Sequence, residues 1–306
     1  MHAPTGDQYE LTRDTPSGFA RAEITQVAAG IRTFSLGGID LTEPFPVDAT
    51  PPSGCGITLV PWPNRVANGR WSLDGVEQQL ALTEPARGNA IHGLLRFTPY
   101  ELVEHDGVAV TLAATVYPQA GYPFLLDTTV RHELVDDGMV VTHTVSNVGP
   151  GRAPVAVGAH PYLKIGDVDT AELILRLSAS THIEADERMN VVGEHPVEGT
   201  RFDLRGGARV ADLTLDDGFG DLTITGGEST QTLTAPDGRS VALWADEHFG
   251  YLQVFTSRVL ATLPKGSVAV ALEPMTAPAN ALNSGAGLTW LEPEATMTAR
   301  WGIRHR

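Results

Sequence analysis

No sustained three-to-four spacing of apolar residues runs along this chain; where hydrophobic and polar positions are regular, they alternate one for one. The last arm is the clearest, with Met297, Ala299, Trp301 and Ile303 alternating with Thr298, Arg300 and Gly302, the pattern of a half-buried strand. Phe124 to Leu134 and Met139 to Val145 supply Thr- and Val-rich arms on either side of Asp137-Gly138. Asp74-Gly75, Asp106-Gly107 and Asp237-Gly238 also stand between strand-like runs, and both residue types tolerate the positive φ of tight primed turns. Four antiparallel hairpins are predicted.

The 32 Gly and 21 Pro interrupt nearly every window long enough for three helical turns. Arg205-Gly206-Gly207 and Asp216-Asp217-Gly218 read as connections, and none is long enough for an interdomain linker. The economical arrangement is all-β: one large antiparallel β-sandwich domain spanning residues 1–306.

Charge narrows the partners. Lys plus Arg number 21 and Asp plus Glu 37, a formal charge of −16, which argues against a broad nucleic-acid or anionic-membrane footprint while leaving room for one small anion site. With 42% hydrophobic and 19% charged residues, the chain can bury a sizeable core. Cys55 is the one cysteine, so an intramolecular disulfide framework and a Cys-rich zinc site are excluded. The opening Met1-His2-Ala3-Pro4-Thr5-Gly6-Asp7 lacks a basic segment followed by an apolar one, and no run approaches the ~18 to 20 apolar residues that cross a bilayer. The expectation is a cytoplasmic protein, monomer or weak homodimer, binding neither nucleic acid nor membrane.

Four segments carry chemically able side chains in apolar or Gly- and Pro-rich surroundings. Trp62-Pro63-Asn64-Arg65 through Gly69-Arg70 is either a tight surface loop with ordinary salt bridges or a rigid polar cradle for a hydroxylated or anionic ligand. His92, followed by Gly93, is either a ligand contact or proton carrier, or a structural histidine bonded to a carbonyl. His160 ends a nearly uncharged run in which an unpartnered imidazole would be costly. Glu273 follows five mostly apolar residues, where partial burial would raise its pKa and poise it as a base; a strand-end salt bridge is the plainer account. Together the two imidazoles, the carboxylate and the arginine cradle suit acid-base chemistry on a neutral polyol. Metal and cofactor sites are not expected: there is no His-Glu-x-x-His, and Gly37-Gly38, Gly206-Gly207 and Gly226-Gly227 lack the spacing of nucleotide loops.

At these residues the chain resembles the aldose 1-epimerase (mutarotase) family of the galactose mutarotase-like superfamily, as a divergent bacterial-type member. Asn64-Arg65-Val66-Ala67-Asn68-Gly69-Arg70, Ile91-His92-Gly93, Ala159-His160-Pro161-Tyr162-Leu163 and Leu272-Glu273-Pro274-Met275 are similar to its ordered motifs. The resemblance implies a large β-sandwich with an open sugar cleft and cofactor-independent interconversion of α and β anomers of a free hexose by ring opening and reclosure. It implies Glu273 as base, His160 as acid, His92 assisting at the ring oxygen, and Arg65 holding sugar oxygens. A base near an arginine must avoid a tight ion pair, so Arg65 is expected to point mainly to substrate oxygens with Glu273 partly shielded from it. The resemblance also implies an aspartate on the sugar hydroxyls, and Leu215-Asp216-Asp217-Gly218-Phe219 offers Asp216 or Asp217, the latter where the family pattern often has histidine. Asn64, Trp62 and Arg96 complete the candidate substrate contacts, with Tyr162, Trp244 and Phe249 as further candidates for an apolar wall.

Two other functions compete. A carbohydrate-binding β-sandwich without catalysis needs the cradle but not Glu273 and His160 on opposite oxygens of one carbon. Arg65, Arg70, Arg87 and Arg96 motivate an epimerase for a hexose phosphate or sulfonated hexose, although a neutral hexose is favoured.

Overall fold

The computed structural model describes residues 3–306; Met1 and His2 of the opening segment lie outside the described residues. Strands dominate because alternation is satisfied almost wherever it occurs. In Leu126–Val135 every second residue from Leu126 to Leu134 is buried, and in Thr296–His305 Met297, Ala299, Trp301 and Ile303 face inward. The described helices are four 3₁₀ turns and the single turn Ala281–Ser284.

Two large antiparallel sheets form the sandwich. The nine-stranded sheet runs Glu101–His105, Ala109–Val116, Leu126–Val135, Gly138–Asn147, Thr296–His305, Ser240–Asp246, Glu228–Thr234, Ile174–Arg176 and Ala208–Arg209 in spatial order. The eight-stranded sheet follows Val191–Pro196, Ala179–Ala185, Asp216–Leu222, Tyr251–Ser257, Ala269–Met275, Gly158–Ala159 and Thr58–Leu59, with Tyr162–Leu163 also paired to Ala269–Met275. A four-stranded sheet from Gln8–Thr15 to Ile39–Asp40 adds its apolar face to the same core as the two large sheets. No helix among the described residues is long and apolar enough to cross a membrane.

All four expected hairpins are present, but the Asp-Gly pairs serve them differently. Asp74 and Gly75 both adopt positive φ, 48° and 82°. Gly138 does not; it is the first residue of its strand, and a Cβ there would stand 1.8 Å from the Ile303 carbonyl oxygen, so close strand approach demands glycine. Asp216-Asp217-Gly218 is a correction of a different kind. It opens the strand Asp216–Leu222 and is not a connection, because both aspartates find cross-strand partners and Gly218 fits against Ile183.

The core contains two histidines, His132 and His143, on the facing strands of one hairpin. His132 Nε2 donates to the Ala29 carbonyl at 3.0 Å, and His143 Nε2 accepts from Trp301 Nε1 at 2.9 Å. Burial holds both neutral, pushing His132 down to about 4 and His143 down to about 3.

Two predictions follow from this packing. Folded-state pKa values below the ordinary 6.5 mean that the unfolded chain takes up these protons first, so the contribution of the two histidines to stability is complete above 6.5 and is lost as pH falls toward about 3 to 4. Each unit of that decline is worth about 1.4 kcal/mol per histidine, and urea midpoints measured down a pH series should record it; constant midpoints would contradict neutral core imidazoles. Separately, Gly93 has φ 71° and a Cβ there would lie 2.0 Å from the Val60 carbonyl oxygen, so Gly93→Ala should lower unfolding free energy by at least about 2 kcal/mol in chemical denaturation.

Candidate active site

The cleft is built on one face of three adjacent strands of the eight-stranded sheet. Gln253 and Glu273 are direct cross-strand partners, and Asp216 lies opposite Phe255, two residues along from Gln253. A period of two puts these four side chains on one face, where all line a cleft of about 460 Å³. Gln253 ties them together. Its Nε2 donates to Asp216 Oδ1 at 2.9 Å, and its Oε1 accepts from Asn64 Nδ2 at 3.1 Å.

Two loops bring the imidazoles over that face. His160 sits between Gly158–Ala159 and Tyr162–Leu163; its N–H donates to the Ile57 carbonyl and its own carbonyl accepts from Gly56. His160 Nε2 then lies 3.3 Å from Glu273 Oε1, while Tyr162 stacks on the ring at 5.3 Å between centroids. His92 has φ 61° and its N–H bonds to the Asn64 carbonyl at 2.9 Å, a local bend that sets its ring edge-on to His160 at 5.5 Å. Glu273 Oε2 and Nδ1 of both histidines have no partner among the described residues.

Arg65 reaches the same cleft but is not free to turn wholly toward a ligand. Its Nε and Nη2 hold Glu84 at 2.8 and 3.0 Å, because a nearly buried guanidinium needs a carboxylate beside it, and Arg87 binds the same carboxylate at 3.1 Å. Arg96 and Asp216 also line the cleft. Asp217 does not. Its carboxylate faces His182 Nε2 at 2.8 Å in a second hollow lined also by Phe202, on which His182 is stacked.

Trp62 is likewise removed from the cleft: it is 2% exposed and packs on Tyr122 in the core, where two flanking prolines thread it inward. Tyr162 backs His160 from its own cluster, while Trp244 and Phe249 pack elsewhere in the sandwich. Arg70 belongs to the separate Arg70–Leu73 hairpin and bonds Gln79. Phe97 and Phe255 are the aromatic rings that line the cleft. Sequence reasoning missed Gln253, Glu84 and both rings; a glutamine inside the otherwise apolar run Leu252 to Phe255 was the available signal.

Burial moves the proton affinities of the central pair in opposite directions, so that they cross. Burial raises the Glu273 carboxyl well above its usual range, Asp216 adds to this and Arg65 opposes it. Burial pushes His160 down to about 4, and burial with the charges of His160, Arg65 and Arg96 lowers His92. Glu84 goes the other way: burial would raise it, but the hydrogen bonds and charge of Arg65, with those of Arg87, hold it low. His92, His160 and Glu273 offer ligand atoms within 4.8 Å of one another, a set that could also hold a divalent ion. Two neutral imidazoles, a carboxyl of raised proton affinity and a ring of hydroxyl-binding groups can exchange protons with a bound polyol.

Sequence and structure comparisons bear on the fold and the family. YihR of Escherichia coli, an uncharacterised protein, is 33% identical over 281 residues, covering 90% of this chain and 87% of that one. Rat galactose mutarotase is 32% identical over 155 residues, 46% of this chain and 42% of its own. The crystal structure of a Caenorhabditis elegans GalM/aldose epimerase homologue superposes with a TM-score of 0.83 at 18% identity, covering 98% of this chain and 99% of that chain. The profile of the family described as Aldose 1-epimerase matches residues 20–304, and the chain belongs to that family.

Proposed function

We propose that this protein interconverts the α and β anomers of a hexose, with Glu273 and His160 moving the two protons. The observation that carries this reading is the 3.3 Å approach of Glu273 Oε1 to His160 Nε2 inside a cleft also lined by Asp216, Gln253, Asn64 and Arg65. The Glu273 carboxylate takes the proton from the anomeric hydroxyl as the C1–O1 bond becomes a carbonyl. The bond from C1 to the ring oxygen breaks, and that oxygen takes the proton of His160. Rotation about C1–C2 presents the other carbonyl face; reclosure returns one proton to O1 and the other to His160. His92 borders the same space edge-on to His160 and assists charge placement at the ring oxygen.

The working pair starts as carboxylate and imidazolium, and burial disfavours each charge alone. One proton crossing from Glu273 to His160 creates both charges together, without exchange with solvent. Glu84 supports this state by engaging Arg65, which otherwise would draw Glu273 into an ion pair and weaken it as a base.

Glu273→Gln should reduce kcat/KM for anomer exchange by at least about 10²-fold, and His160→Asn by a comparable factor, read by polarimetry or exchange NMR. Full activity in either variant removes that residue from its role. The pair works with a single proton, so kcat/KM should fall as pH drops through about 4, where His160 gains a further proton; activity that holds level well below pH 4 would contradict this. The raised Glu273 pKa also makes the wild-type fold lose stability as pH rises above the ordinary 4.5 through the folded-state value. Glu273→Gln should therefore melt higher than wild type at neutral pH and match it in acid.

A further inference from the structure

Three guanidiniums line the cleft, and their surroundings differ. Arg65 and Arg87 share the Glu84 carboxylate, and Arg87 stands 3.9 Å from Asp216 as well. Arg96 forms no ion pair among the described residues. Its Nη2 donates to the Thr83 carbonyl at 3.2 Å, its carbon centre lies 4.7 Å from the Phe97 ring, and most of its five donors remain without a protein acceptor. Burial lowers the basicity of Arg32 and of Arg96 alike, with the charge of Glu84 only partly restoring Arg96. Arg32 is paired with Glu23, whereas Arg96 has no such carboxylate.

A half-buried arginine without a counterion is unfavourable in a protein of net charge −16, where carboxylates are plentiful. The arrangement becomes favourable when the missing anion arrives with the ligand. We infer that Arg96 is the subsite for an anionic group on the sugar, so that the substrate is an aldose carrying a carboxylate, sulfonate or phosphate. The planar fork of Arg96 suits any of these oxyanions, and the exposed Phe97 ring beside it covers one face of the guanidinium. This deepens the anomer-exchange reading and rests on it, and it replaces the neutral hexose favoured by sequence alone. The site needs no basic patch: one guanidinium left unpaired by Glu84 and Asp216 is sufficient.

The test compares anomer-exchange kcat/KM for glucose, glucuronate, glucose 6-phosphate and a 6-sulfonated 6-deoxyglucose in wild type, Arg96→Met and Arg96→Lys. At least one anionic sugar should exceed glucose by about tenfold or more in wild type. That ratio should collapse toward one in Arg96→Met and be partly kept in Arg96→Lys, which retains charge but loses the fork. The sugar that wins identifies which oxyanion is read. Glucose equal to or better than every anionic sugar, or an anionic preference unchanged in Arg96→Met, overturns the subsite while leaving anomer exchange standing. If no sugar is turned over, the reaction reading falls, and calorimetric binding of the same anionic sugars to wild type and Arg96→Met decides the subsite by itself. Affinity that drops about tenfold in Arg96→Met supports it, and equal affinity overturns it.

Discussion

A carboxyl and an imidazole buried against each other at 3.3 Å are the constraint around which the cleft is organised. Burial makes Glu273 a stronger base and His160 a stronger acid than either is in water, since it raises one proton affinity and lowers the other. A neighbouring cation could undo this by fastening on the carboxylate. Glu84 intercepts that cation, and the cost of burying Arg65 is met by a carboxylate that takes no part in the chemistry. Hydrogen bonds through Asn64, Gln253 and Asp216 tie together that sheet face, while Glu273 Oε2 stays without a partner among the described residues.

The strand period decides which of two adjacent aspartates belongs to this face. Asp216 and Asp217 differ by one position, and one position along a strand reverses the side chain. Asp216 therefore meets Gln253 in the cleft, while Asp217 meets His182 behind Phe202 and accepts the Asp216 backbone N–H at 3.1 Å.

The same logic separates the aromatics. Trp62 lies next to the polar cradle in sequence, yet its ring enters the core against Tyr122, and Phe97 and Phe255 take the places at the cleft wall. Nearness along the chain to Asn64 and Arg65 carried no information about direction, because a proline-bounded segment turns successive side chains to different sides.

One-for-one alternation and Asp-Gly turns, both properties of neighbouring residues, were enough to determine an all-β architecture and the hairpins around residues 74, 106, 137 and 237. The ordered motifs likewise marked His92, His160, Glu273, Arg65 and Asn64, each of which lines the cleft. Tertiary structure alone decided the Glu84 tether, the Gln253 bridge, the exclusion of Trp62 and Asp217, and the unpaired state of Arg96. Those depend on which strands pair, in which register, and on which carboxylate is within reach of which guanidinium, and such distances are created only when remote segments of the chain meet.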